Sequence, residues 1–342
     1  MRVLIADKFE EPGQEALRSL GCTLTNKPSL TSDELPAVLA RGDFDVLIVR
    51  SKKVTAAAIL GSSGLKAILR AGAGVDNIDV QAATQRGIGV CNCPGMNAIA
   101  VAELAIGLLI ACDRRIPDQT AAIKAGRWDK KEFTTKSRGL KGSTLLIAGF
   151  GAIGQAVAKR AAAFEMNIVA WDRVLTPSSA RTMGVGFGGT DRAHLLAALA
   201  SCHAVSLHLA LTPETTHLCD AKFFEALPPG SIFINTSRGG VVDESALRKA
   251  AADKGLRVGL DVYENQPATP QADFVTATSV LSGSAFTHHC GASTDQAQQA
   301  VADEVVRMVK VYMESGHLEN CVNERALPVV ETARPRSTRN AG

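Results

Sequence analysis

The stretch Leu145-Leu-Ile-Ala-Gly149-Phe-Gly151-Ala-Ile-Gly154 decides the fold of this chain. An apolar strand leads into the pattern Gly-x-Gly-x-x-Gly, and a helical stretch follows from residue 155 to residue 164. Gly149 permits a tight turn, Gly151 lets the backbone approach a pyrophosphate, and Gly154 lets the helix pack on the strand. The amino terminus of the helix then offers N–H groups and the positive end of its dipole to phosphates. The pattern predicts the first strand–helix unit of a dinucleotide-binding sheet.

A second strand, at residues 167–171, ends in Asp172, eighteen residues beyond Gly154. A carboxylate there accepts hydrogen bonds from the adenosine ribose and repels the 2′-phosphate of NADP, so NAD is the predicted cofactor. The adjacent Arg173 keeps NADP open as an alternative, because a guanidinium can pair with that phosphate.

The composition is that of a globular protein, with 342 residues, 46% hydrophobic and 21% charged. This length fits two domains. A net charge of only +3 argues against attraction to nucleic acid or to a membrane surface, and 4% aromatic residues give no platform for stacking bases. The start of the chain is too short an apolar run for a signal peptide. The most apolar segment, 98–112, is too short to span a bilayer and predicts a buried helix.

Cysteine usage predicts a reducing compartment. The eight cysteines are scattered, so they are interpreted as reduced thiols of a cytoplasmic protein. Cys91 and Cys93 are too closely spaced for a usual zinc pair and have no second pair nearby, so no metal site is predicted.

Strands and helices alternate on both sides of the glycine pattern, which predicts parallel sheets with crossover helices. Predicted strands are 3–6, 46–49, 65–69 and 88–91 before it, and 204–209, 231–235 and 256–260 after it. The polar, basic segment 113–138 interrupts the alternation and is interpreted as an excursion from the core. Residues 326–342 lose all periodicity and are predicted to be a disordered tail.

Two charged side chains follow late strands, at the sheet edge where open α/β folds bind ligands. Arg238 precedes two glycines, and its guanidinium can fork onto a carboxylate or a carbonyl oxygen. His289 lies before a helix predicted from about residue 294 to 313. Hydride loss from a secondary alcohol needs a group that takes the hydroxyl proton near neutral pH, and histidine suits this task. A surface ion pair for Arg238 and a helix cap for His289 are the alternative interpretations.

The motifs together make the chain resemble the D-isomer-specific 2-hydroxyacid dehydrogenases, and within them the phosphoglycerate dehydrogenases of the short kind. The resemblance runs from about residue 2 to 325. It is carried by the segments 49–51, 70–77, 94–97, 101–103, 149–154, 237–240, 259–261 and 289–294.

This resemblance implies an α/β fold of two Rossmann-like domains. A discontinuous, flavodoxin-like substrate domain would comprise residues 1–97 and 289–325. An NAD-binding, doubly wound parallel sheet at 98–288 would be inserted in it, with the tail at 326–342. Segment 113–138 would be a dimerisation arm, which predicts a homodimer. Longer relatives add a regulatory domain for serine after this point, so feedback by that route is expected to be absent.

The resemblance also implies roles for individual residues. The catalytic group would comprise Arg238, which holds the substrate carboxylate and C2 oxygen, His289 as acid/base, and the residue at position 266. Residues contacting NAD would be Gly149, Gly151, Ala152, Ile153, Gly154, Asp172, Leu209, Ser237, Asp261 and Gly291. Residues lining the substrate site would be Arg50, Ser51, Ala73, Gly74, Asn97 and Lys130, where relatives carry Arg at position 130.

Position 266 departs from the family pattern, because Gln266 stands where relatives have the catalytic glutamate. Gln can orient an imidazole but brings no charge to stabilise imidazolium. Glu264 is an alternative partner for His289 if the loop permits. The formate dehydrogenase branch of the family also has Gln here, but it lacks a match to the segment 49–51.

The function predicted first is NAD-dependent oxidation of 3-phospho-D-glycerate to 3-phosphohydroxypyruvate, toward serine. Its phosphate needs cations beyond Arg238, and the candidates are Arg50, Lys52, Lys53, Lys130 and Lys131. Two alternatives stay open. One is a glyoxylate or hydroxypyruvate reductase of the same family, and the other is an NAD-responsive binding protein that acts as a corepressor.

Overall fold

The computed structural model describes residues 1–134, 137–267, 271–276 and 278–326. The chain divides into two compact units: Met1–Met96 together with the described residues from Gln298 onward, and Asn97–Ala297. The second boundary lies nine residues after the predicted one, so the structure places His289 in the second unit. The described chain ends in a 3-10 turn at Glu324–Ala326, and the rest of the predicted tail lies outside the described residues.

The first unit contains a five-stranded parallel sheet with strand order β2-β1-β3-β4-β5. This is the flavodoxin-like order, with its reversal between β1 and β3. Its strands are β1 (Arg2–Ile5), β2 (Thr23–Asn26), β3 (Val46–Val49), β4 (Ala67–Arg70) and β5 (Gly89–Cys91). Its helices are α1 (Glu11–Ser19), α2 (Leu35–Arg41), α3 (Ala56–Leu60), α4 (Val80–Gln85) and α13 (Asp295–Ser315), which begins just before the boundary.

Both faces of this sheet are buried, which explains its continuous apolar strands. In β3, Val46 and Ile48 point into a cluster with α1 and α13, while Leu47 and Val49 point into a cluster with α2, α3 and α4. The two-residue period of a strand therefore supplies both cores from one run of four residues.

The second unit contains a seven-stranded parallel sheet with order β12-β11-β10-β9-β6-β7-β8. This is the Rossmann order, with its reversal between β6 and β9. Its strands are β6 (Thr144–Ala148), β7 (Asn167–Trp171), β8 (Gly186–Phe187), β9 (Ala204–Leu207), β10 (Ile232–Asn235), β11 (Arg257–Leu260) and β12 (Ala285–Phe286). Its helices are α5 (Ala98–Arg114), α6 (Ile116–Lys124), α7 (Lys130–Thr134), α8 (Ala152–Ala163), α9 (Pro177–Thr182), α10 (Arg192–Leu199), α11 (Ala221–Ala226) and α12 (Glu244–Lys254).

The buried side chains of this sheet also divide by face. In β6, Leu145 and Ile147 pack with α5 and α8, while Leu146 and Ala148 pack with α10, α11 and α12. The segment 98–112 is the buried helix that its apolar sequence predicts. No helix among the described residues has the length and apolar character to cross a membrane.

The predicted fold class is confirmed, and the predicted strands are present to within a few residues. The strands β2, β8 and β12 were not predicted. β2 has no buried residue and β8 has only two residues, both exposed, so neither carries the apolar signal of an inner strand.

Candidate active site

The glycine-rich turn joins β6 to α8 at the carboxyl edge of the seven-stranded sheet. Gly149 has a φ of +94°, and a Cβ there would collide with the carbonyl group of His208. A Cβ on Gly154 would collide with the carbonyl oxygen of Gly149, so the helix packs directly on the turn. Around Gly151 the space is open. The three glycines have the turn, approach and packing geometry of a dinucleotide site.

The amino terminus of α8 is suited to an anion. Gly151 is its N-cap and has no side chain, and its first turn, which includes Ala152 and Ile153, contains no acidic residue. The first N–H groups of the helix therefore meet no side-chain cap. A phosphate group can accept these hydrogen bonds.

Asp172 follows β7 and braces this turn. Its Oδ2 accepts a hydrogen bond from the N–H of Phe150 at 2.7 Å, and its Oδ1 accepts from the N–H of Val174 at 3.0 Å. A carboxylate has about four acceptor sites, so this bracing is compatible with the predicted ribose contact. Arg173 is exposed beside it.

Two residues follow β9 at the same edge. The Leu209 side chain lies over Gly149, with Cδ2 3.0 Å from the place where a Cβ would stand. His208 Nε2 hydrogen-bonds Ser206 Oγ at 2.9 Å, and burial lowers the pKa of His208 to about 3, so the ring is neutral. Its Nδ1 is buried and has no partner within the described part of the chain. A polar atom in this state is available to a ligand.

The segment after β10 is fixed by Asn235. Its Oδ1 accepts hydrogen bonds from the N–H and the hydroxyl of Ser237, at 2.9 and 2.7 Å. Its Nδ2 donates to the carbonyl oxygen of Arg238 at 3.0 Å. The hydroxyl of Thr236 is buried and finds no partner among the described residues. The buried side-chain amide of Asn235 thus fixes the backbone of Ser237 and Arg238.

Gly239 brings this segment against the loop after β11. A Cβ at Gly239 would collide with the backbone of Tyr263 and Glu264. The backbone after Arg238 and the loop that contains Gln266 are therefore in direct contact. β10 and β11 are neighbouring parallel strands, so both segments lie at one edge of the sheet.

Asp261 builds the loop that carries His289. Its Oδ1 accepts from the N–H of Cys290 at 2.8 Å and from the hydroxyl of Thr287 at 2.7 Å, and its Oδ2 accepts from the N–H of Gly291 at 2.9 Å. Its own carbonyl oxygen accepts from the N–H of His289 at 2.7 Å. The side chain is 1% exposed. The residue predicted to contact NAD thus also holds the loop of the predicted acid/base.

Two further observations fix this loop. His289 has a φ of +52°, a left-handed conformation that the Asp261 contacts maintain. Tyr263 donates its hydroxyl to the carbonyl oxygen of Thr287 at 2.9 Å, and burial raises its pKa to about 12, so it stays a neutral donor. The helix after the loop begins at Asp295, and the hydroxyl of Thr294 accepts from the N–H of Ala297. The helix-cap interpretation of His289 is therefore wrong.

Gln266 lies against the imidazole of His289, with 2.6 Å between Nε2 of the amide and Nδ1 of the ring. The N–H of Tyr263 donates to Gln266 Oε1 at 3.3 Å, which assigns the amide NH₂ to the ring side. An NH₂ donor at Nδ1 requires a lone pair on that nitrogen, so the neutral ring carries its proton on Nε2.

Glu264 does not take the place of the missing glutamate. Its carboxylate pairs with His217 Nε2 at 2.7 Å, and its N–H donates to Glu244 at 2.8 Å. Because of the direction of the loop after β11, the Gln266 amide contacts the ring of His289, and Glu264 pairs with His217 instead.

In the first unit, Asp7 organises the predicted substrate residues. It follows β1, and its Oδ2 accepts from the N–H groups of Arg50, Ser51 and Lys52 at 2.7, 3.0 and 2.9 Å. The Arg50 guanidinium donates to Gln298 on α13 at 3.0 Å. Arg50 and Ser51 thus have a fixed backbone at the carboxyl edge of the five-stranded sheet.

The loop after β4, residues 71–75, contains Ala73 and Gly74 at the same edge. The side-chain amide of Asn92 donates to the carbonyl oxygen of Ala73, and the N–H of Cys93 donates to the carbonyl oxygen of Gly72 at 2.9 Å. The residues that follow β5 therefore hold this loop in place.

Two predicted substrate residues, Asn97 and Lys130, and one candidate phosphate cation, Lys52, have different surroundings. Asn97 is the N-cap of α5, and its Oδ1 is buried with no partner among the residues that the structure describes. Lys52 donates its ammonium to the carbonyl oxygen of Leu30 and lies 4.0 Å from Asp7, so it serves the fold. Lys130 starts α7, within the segment 113–138, and does not follow a strand of the sheet.

Sequence reasoning missed four residues of these edges: Asp7, Asn92, His208 and Thr236. Asp7 directly follows the predicted strand 3–6, so the rule that singled out Arg238 applies to it also. His208 was counted within the predicted strand 204–209, whereas the observed β9 ends one residue before it. Asn92 binds Ala73, which is distant in sequence, and Thr236 has a buried hydroxyl without a partner among the described residues. A sequence pattern reveals neither property.

The second unit fits a dinucleotide on its own geometry. Three features lie at one edge of this sheet, around the reversal of strand order. They are the open space at Gly151, the start of α8 without a side-chain cap, and the buried polar atoms of His208 and Thr236 that have no partner among the described residues. Open α/β sheets bind ligands at this point. Among the described residues, no group of three or more His, Cys, Asp or Glu side chains is placed to hold a metal ion.

Comparison with known proteins agrees with this geometry. The family profile described as D-isomer specific 2-hydroxyacid dehydrogenase, NAD binding domain, matches residues 106–291. D-3-phosphoglycerate dehydrogenase of Methanocaldococcus jannaschii is 39% identical over 330 residues, which cover 96% of this chain and 60% of that protein. The chain thus spans about three fifths of the length of this relative.

Two other relatives are matched over nearly their whole length. Hydroxypyruvate reductase of Thermotoga maritima is 39% identical over 318 residues, 92% of this chain and 98% of that protein. The crystal structure of a glyoxylate reductase from Paecilomyes thermophila superimposes with a TM-score of 0.83 at 31% identity, covering 95% of this chain and 99% of that one. The chain therefore belongs to the D-isomer specific 2-hydroxyacid dehydrogenase family, and residues 106–291 are its NAD binding domain.

Proposed function

We propose that the protein is an NAD-dependent dehydrogenase that interconverts 3-phospho-D-glycerate and 3-phosphohydroxypyruvate, with His289 as acid/base. The observation that carries the reaction type is the Gln266–His289 contact, at the sheet edge that also presents the glycine turn. An oriented imidazole next to a dinucleotide site suits proton transfer coupled to hydride transfer. The serine-biosynthetic and cytoplasmic assignments are predictions from the sequence.

When bound, NAD would accept the hydride in the oxidation, and NADH would donate it in the reduction. The chain accepts the proton in the oxidation and donates it in the reduction. With Gln266 donating to Nδ1, His289 directs an N–H from Nε2, which can hydrogen-bond a carbonyl or alkoxide oxygen. Proton transfer uses the imidazolium as the acid and the neutral ring with a free Nε2 lone pair as the base, and both forms carry a proton on Nδ1. Rotation of the Gln266 amide would present its Oε1 to Nδ1–H, so the rotated amide would serve the reaction in both directions.

Arg238 is proposed to hold the substrate carboxylate and C2 oxygen. Its backbone is fixed by Asn235 on one side and by the Gly239–Tyr263 packing on the other. A guanidinium on a rigid backbone can form two parallel hydrogen bonds to a carboxylate. This geometry would also place positive charge at the oxygen on which negative charge develops.

The remaining substrate contacts are proposed, as the family resemblance implies, for Arg50, Ser51, Ala73, Gly74, Asn97 and Lys130. Arg50 is the strongest candidate for the phosphate, because Gln298 fixes its guanidinium. Lys53 is exposed and is a second candidate. Because Lys52 is bound to the carbonyl oxygen of Leu30, it is removed from the candidates.

A second candidate function is reduction of hydroxypyruvate or glyoxylate. The loss of Lys52 as a phosphate ligand favours it, and so do the names of the two relatives matched over nearly their whole length. Such unphosphorylated acids need Arg238 and His289 but no further cation.

The two candidates are distinguished by following NADH absorbance with phosphohydroxypyruvate, hydroxypyruvate and glyoxylate. Turnover confined to phosphohydroxypyruvate supports the first proposal, and comparable turnover of all three supports the second. No turnover with any of them supports an NAD-responsive binding protein and contradicts both. Arg50→Ala should raise KM for phosphohydroxypyruvate and leave KM for glyoxylate unchanged, while the exposed Arg41→Ala is the matched control.

We also propose that the arm 113–138 mediates a homodimer. It exposes apolar side chains that have no cover within the described residues: Ile116 is 46% exposed, Ile123 56% and Trp128 82%. Sedimentation of Trp128→Asp should show a lower mass than the wild type. Val174→Asp, at an apolar residue 86% exposed outside the arm, should sediment as the wild type. A monomeric wild type would refute the dimer without bearing on the reaction.

A further inference from the structure

Two cysteines in the first unit face each other across a backbone pairing. Cys91, the last residue of β5, and Cys321, after α13, form an isolated antiparallel bridge. The N–H of Val322 donates to the carbonyl oxygen of Val90 at 2.8 Å, and the N–H of Asn92 donates to that of Asn320 at 3.3 Å. These bonds flank the two cysteines, so the pair occupies a non-hydrogen-bonded position of the ladder.

That position has the spacing that a disulfide requires. Cα atoms of a non-hydrogen-bonded antiparallel pair lie about 4.5 Å apart. The Cα separation in disulfides is roughly 4.4–6.8 Å. The backbone of the reduced protein therefore already satisfies the separation, although all eight cysteines are unbridged in the structure.

The two thiols differ in exposure and in hydrogen bonding. Cys91 is 1% exposed, whereas Cys321 is partly open to solvent. The Cys321 thiol donates to Asn323 Oδ1 at 3.2 Å, and its interaction with the neighbouring Cys91 thiol lowers the pKa of Cys321 below the usual range of a thiol. The interaction with Cys321, and then burial, raise the pKa of Cys91. Cys321 is thus suited to react first and Cys91 to resolve the product.

The segment that carries Cys321 is firmly attached to β5. Asn323 Oδ1 accepts from the N–H of Val90 at 2.9 Å, and its Nδ2 donates to Thr84 Oγ1 and to the carbonyl oxygen of Ile88, at 2.9 and 3.0 Å. Asn323 keeps the two cysteines in register, so the approach of their sulfurs needs no rearrangement of the backbone pairing.

The pair is connected to the loop 71–75. Asn92, the residue after Cys91, holds the carbonyl oxygen of Ala73 through its side-chain amide, and its N–H binds the carbonyl oxygen of Asn320. Cys93, one residue further, holds the carbonyl oxygen of Gly72. A covalent bond at Cys91 therefore acts on the two residues, Asn92 and Cys93, that bind the carbonyl oxygens of Ala73 and Gly72.

We propose that Cys91 and Cys321 form a reversible disulfide under peroxide and that its formation weakens binding of the 2-oxoacid through the loop 71–75. The Cys321 thiolate attacks one oxygen of hydrogen peroxide, the O–O bond breaks, and hydroxide leaves and becomes water, giving a sulfenic acid. The Cys91 sulfur then attacks the Cys321 sulfur, the S–S bond forms as the S–O bond breaks, and the leaving hydroxide takes the proton of the Cys91 thiol and departs as a second water. Two thiols lose two electrons in total, and peroxide is reduced to two waters.

The first test is on the wild-type protein and does not depend on activity. Protein is treated with hydrogen peroxide, free thiols are alkylated, and peptides are analysed without reduction by mass spectrometry. The expected result is a linked pair containing Cys91 and Cys321, lighter by two hydrogen atoms and separated by dithiothreitol. Absence of this pair, or oxidation confined to the exposed Cys290, overturns the proposal.

The second test measures the effect on binding and rests on the proposed function. Oxidised wild type should show KM for the accepted 2-oxoacid raised about threefold, as expected for the loss of about one hydrogen bond, with NADH affinity unchanged. Cys321→Ser should lose this response, and Cys22→Ser, at a buried cysteine of the same unit, should keep it. A linked pair with unchanged KM refutes the coupling. If no substrate is turned over, the mass-spectrometric result still decides whether the disulfide forms.

Discussion

The two parallel sheets of this protein reverse their strand order at corresponding places, yet only one reversal is built for a dinucleotide. In the seven-stranded sheet, the reversal between β6 and β9 holds Gly149 and the open space at Gly151. In the five-stranded sheet, the reversal between β1 and β3 is filled by the Asp7 carboxylate, which takes three backbone N–H groups. The reversal of strand order creates a crevice in both sheets. The residues in the adjacent turn, glycine in one and aspartate in the other, decide whether that crevice can bind a dinucleotide.

The helices that follow the two turns differ in the same sense. α1 begins with Glu10 as N-cap and Glu11 in its first turn, whereas α8 begins with Gly151 and has no acid in its first turn. A phosphate at α1 would meet two carboxylates, but at α8 it would meet only N–H groups and the positive end of the dipole. The comparison teaches that a Rossmann-like topology is permissive and that side-chain charge at one helix start selects the ligand.

The largest expected effect separates proton transfer from cofactor binding. His289→Ala should lower kcat about 10²- to 10⁴-fold, since it removes the proposed acid/base. NADH affinity should be retained. The matched control is His288→Ala, at the exposed neighbouring residue, which should keep near-normal turnover. Stopped-flow or steady-state rates check this, and a His289→Ala variant with near-normal kcat would refute the proposed role.

A smaller effect is expected when the α8 turn is given the charge of the α1 turn. Gly151→Glu should weaken NADH binding about tenfold or more, since it places a unit charge close to the phosphates. A Cβ at this position meets no atom within 4 Å, so the fold should be retained. Fluorescence titration with NADH measures the change. Gly151→Ala is the uncharged control, and equal affinities of the two variants would show that charge is not the discriminating property.

Gln266→Glu should shift the pH–rate profile by about one pH unit toward higher pH. A carboxylate at Nδ1 stabilises imidazolium, so His289 would keep its proton to higher pH. Reduction, which uses the protonated ring, should then persist to higher pH, and oxidation, which needs the neutral ring, should begin at higher pH. The substitution keeps an acceptor for the N–H of Tyr263. An unchanged profile measured from pH 5 to 10 would rule out Gln266 as the orienting partner.

The smallest effect on turnover is expected from removing the Asp7 carboxylate from the crevice of the five-stranded sheet. Asp7→Ala leaves three N–H groups without their carboxylate and should lower the free energy of unfolding by about 1–3 kcal/mol. KM for the oxoacid should rise while kcat changes little. Thermal denaturation and steady-state kinetics check both, with the exposed Asp33→Ala as control. Should Asp7→Ala be as stable as the control, the bracing role would be wrong.

The sequence predicted the fold well because its signals are local. Apolar runs of four or five residues mark inner parallel strands, and three glycines at fixed spacing mark the turn between β6 and α8. The edge strand β2 was missed since half of Thr23–Asn26 is exposed and none of it is buried. The predicted boundary at residue 288 differed from the observed one at 297 because the loop of His289 is bound by Asp261, a residue of the second unit.

The candidate site divides in the same way. His289, Arg238 and the glycines follow strands and were proposed from their type and position. Gln266 was also proposed as the partner of His289, with Glu264 as the alternative, and only the direction of the loop decided between the two.

The sequence by itself determined that two parallel α/β sheets form, that one of them carries a dinucleotide turn, and which residue types stand at the strand ends. Those properties depend on periodicity and spacing within about twenty residues. Only the tertiary structure decided that Asp7 fills one crevice from 43 residues away, that Lys52 serves the fold, and that Cys91 meets Cys321. The physical reason is that hydrogen bonds and sulfur contacts are short in space, while folding alone sets which distant residues become neighbours.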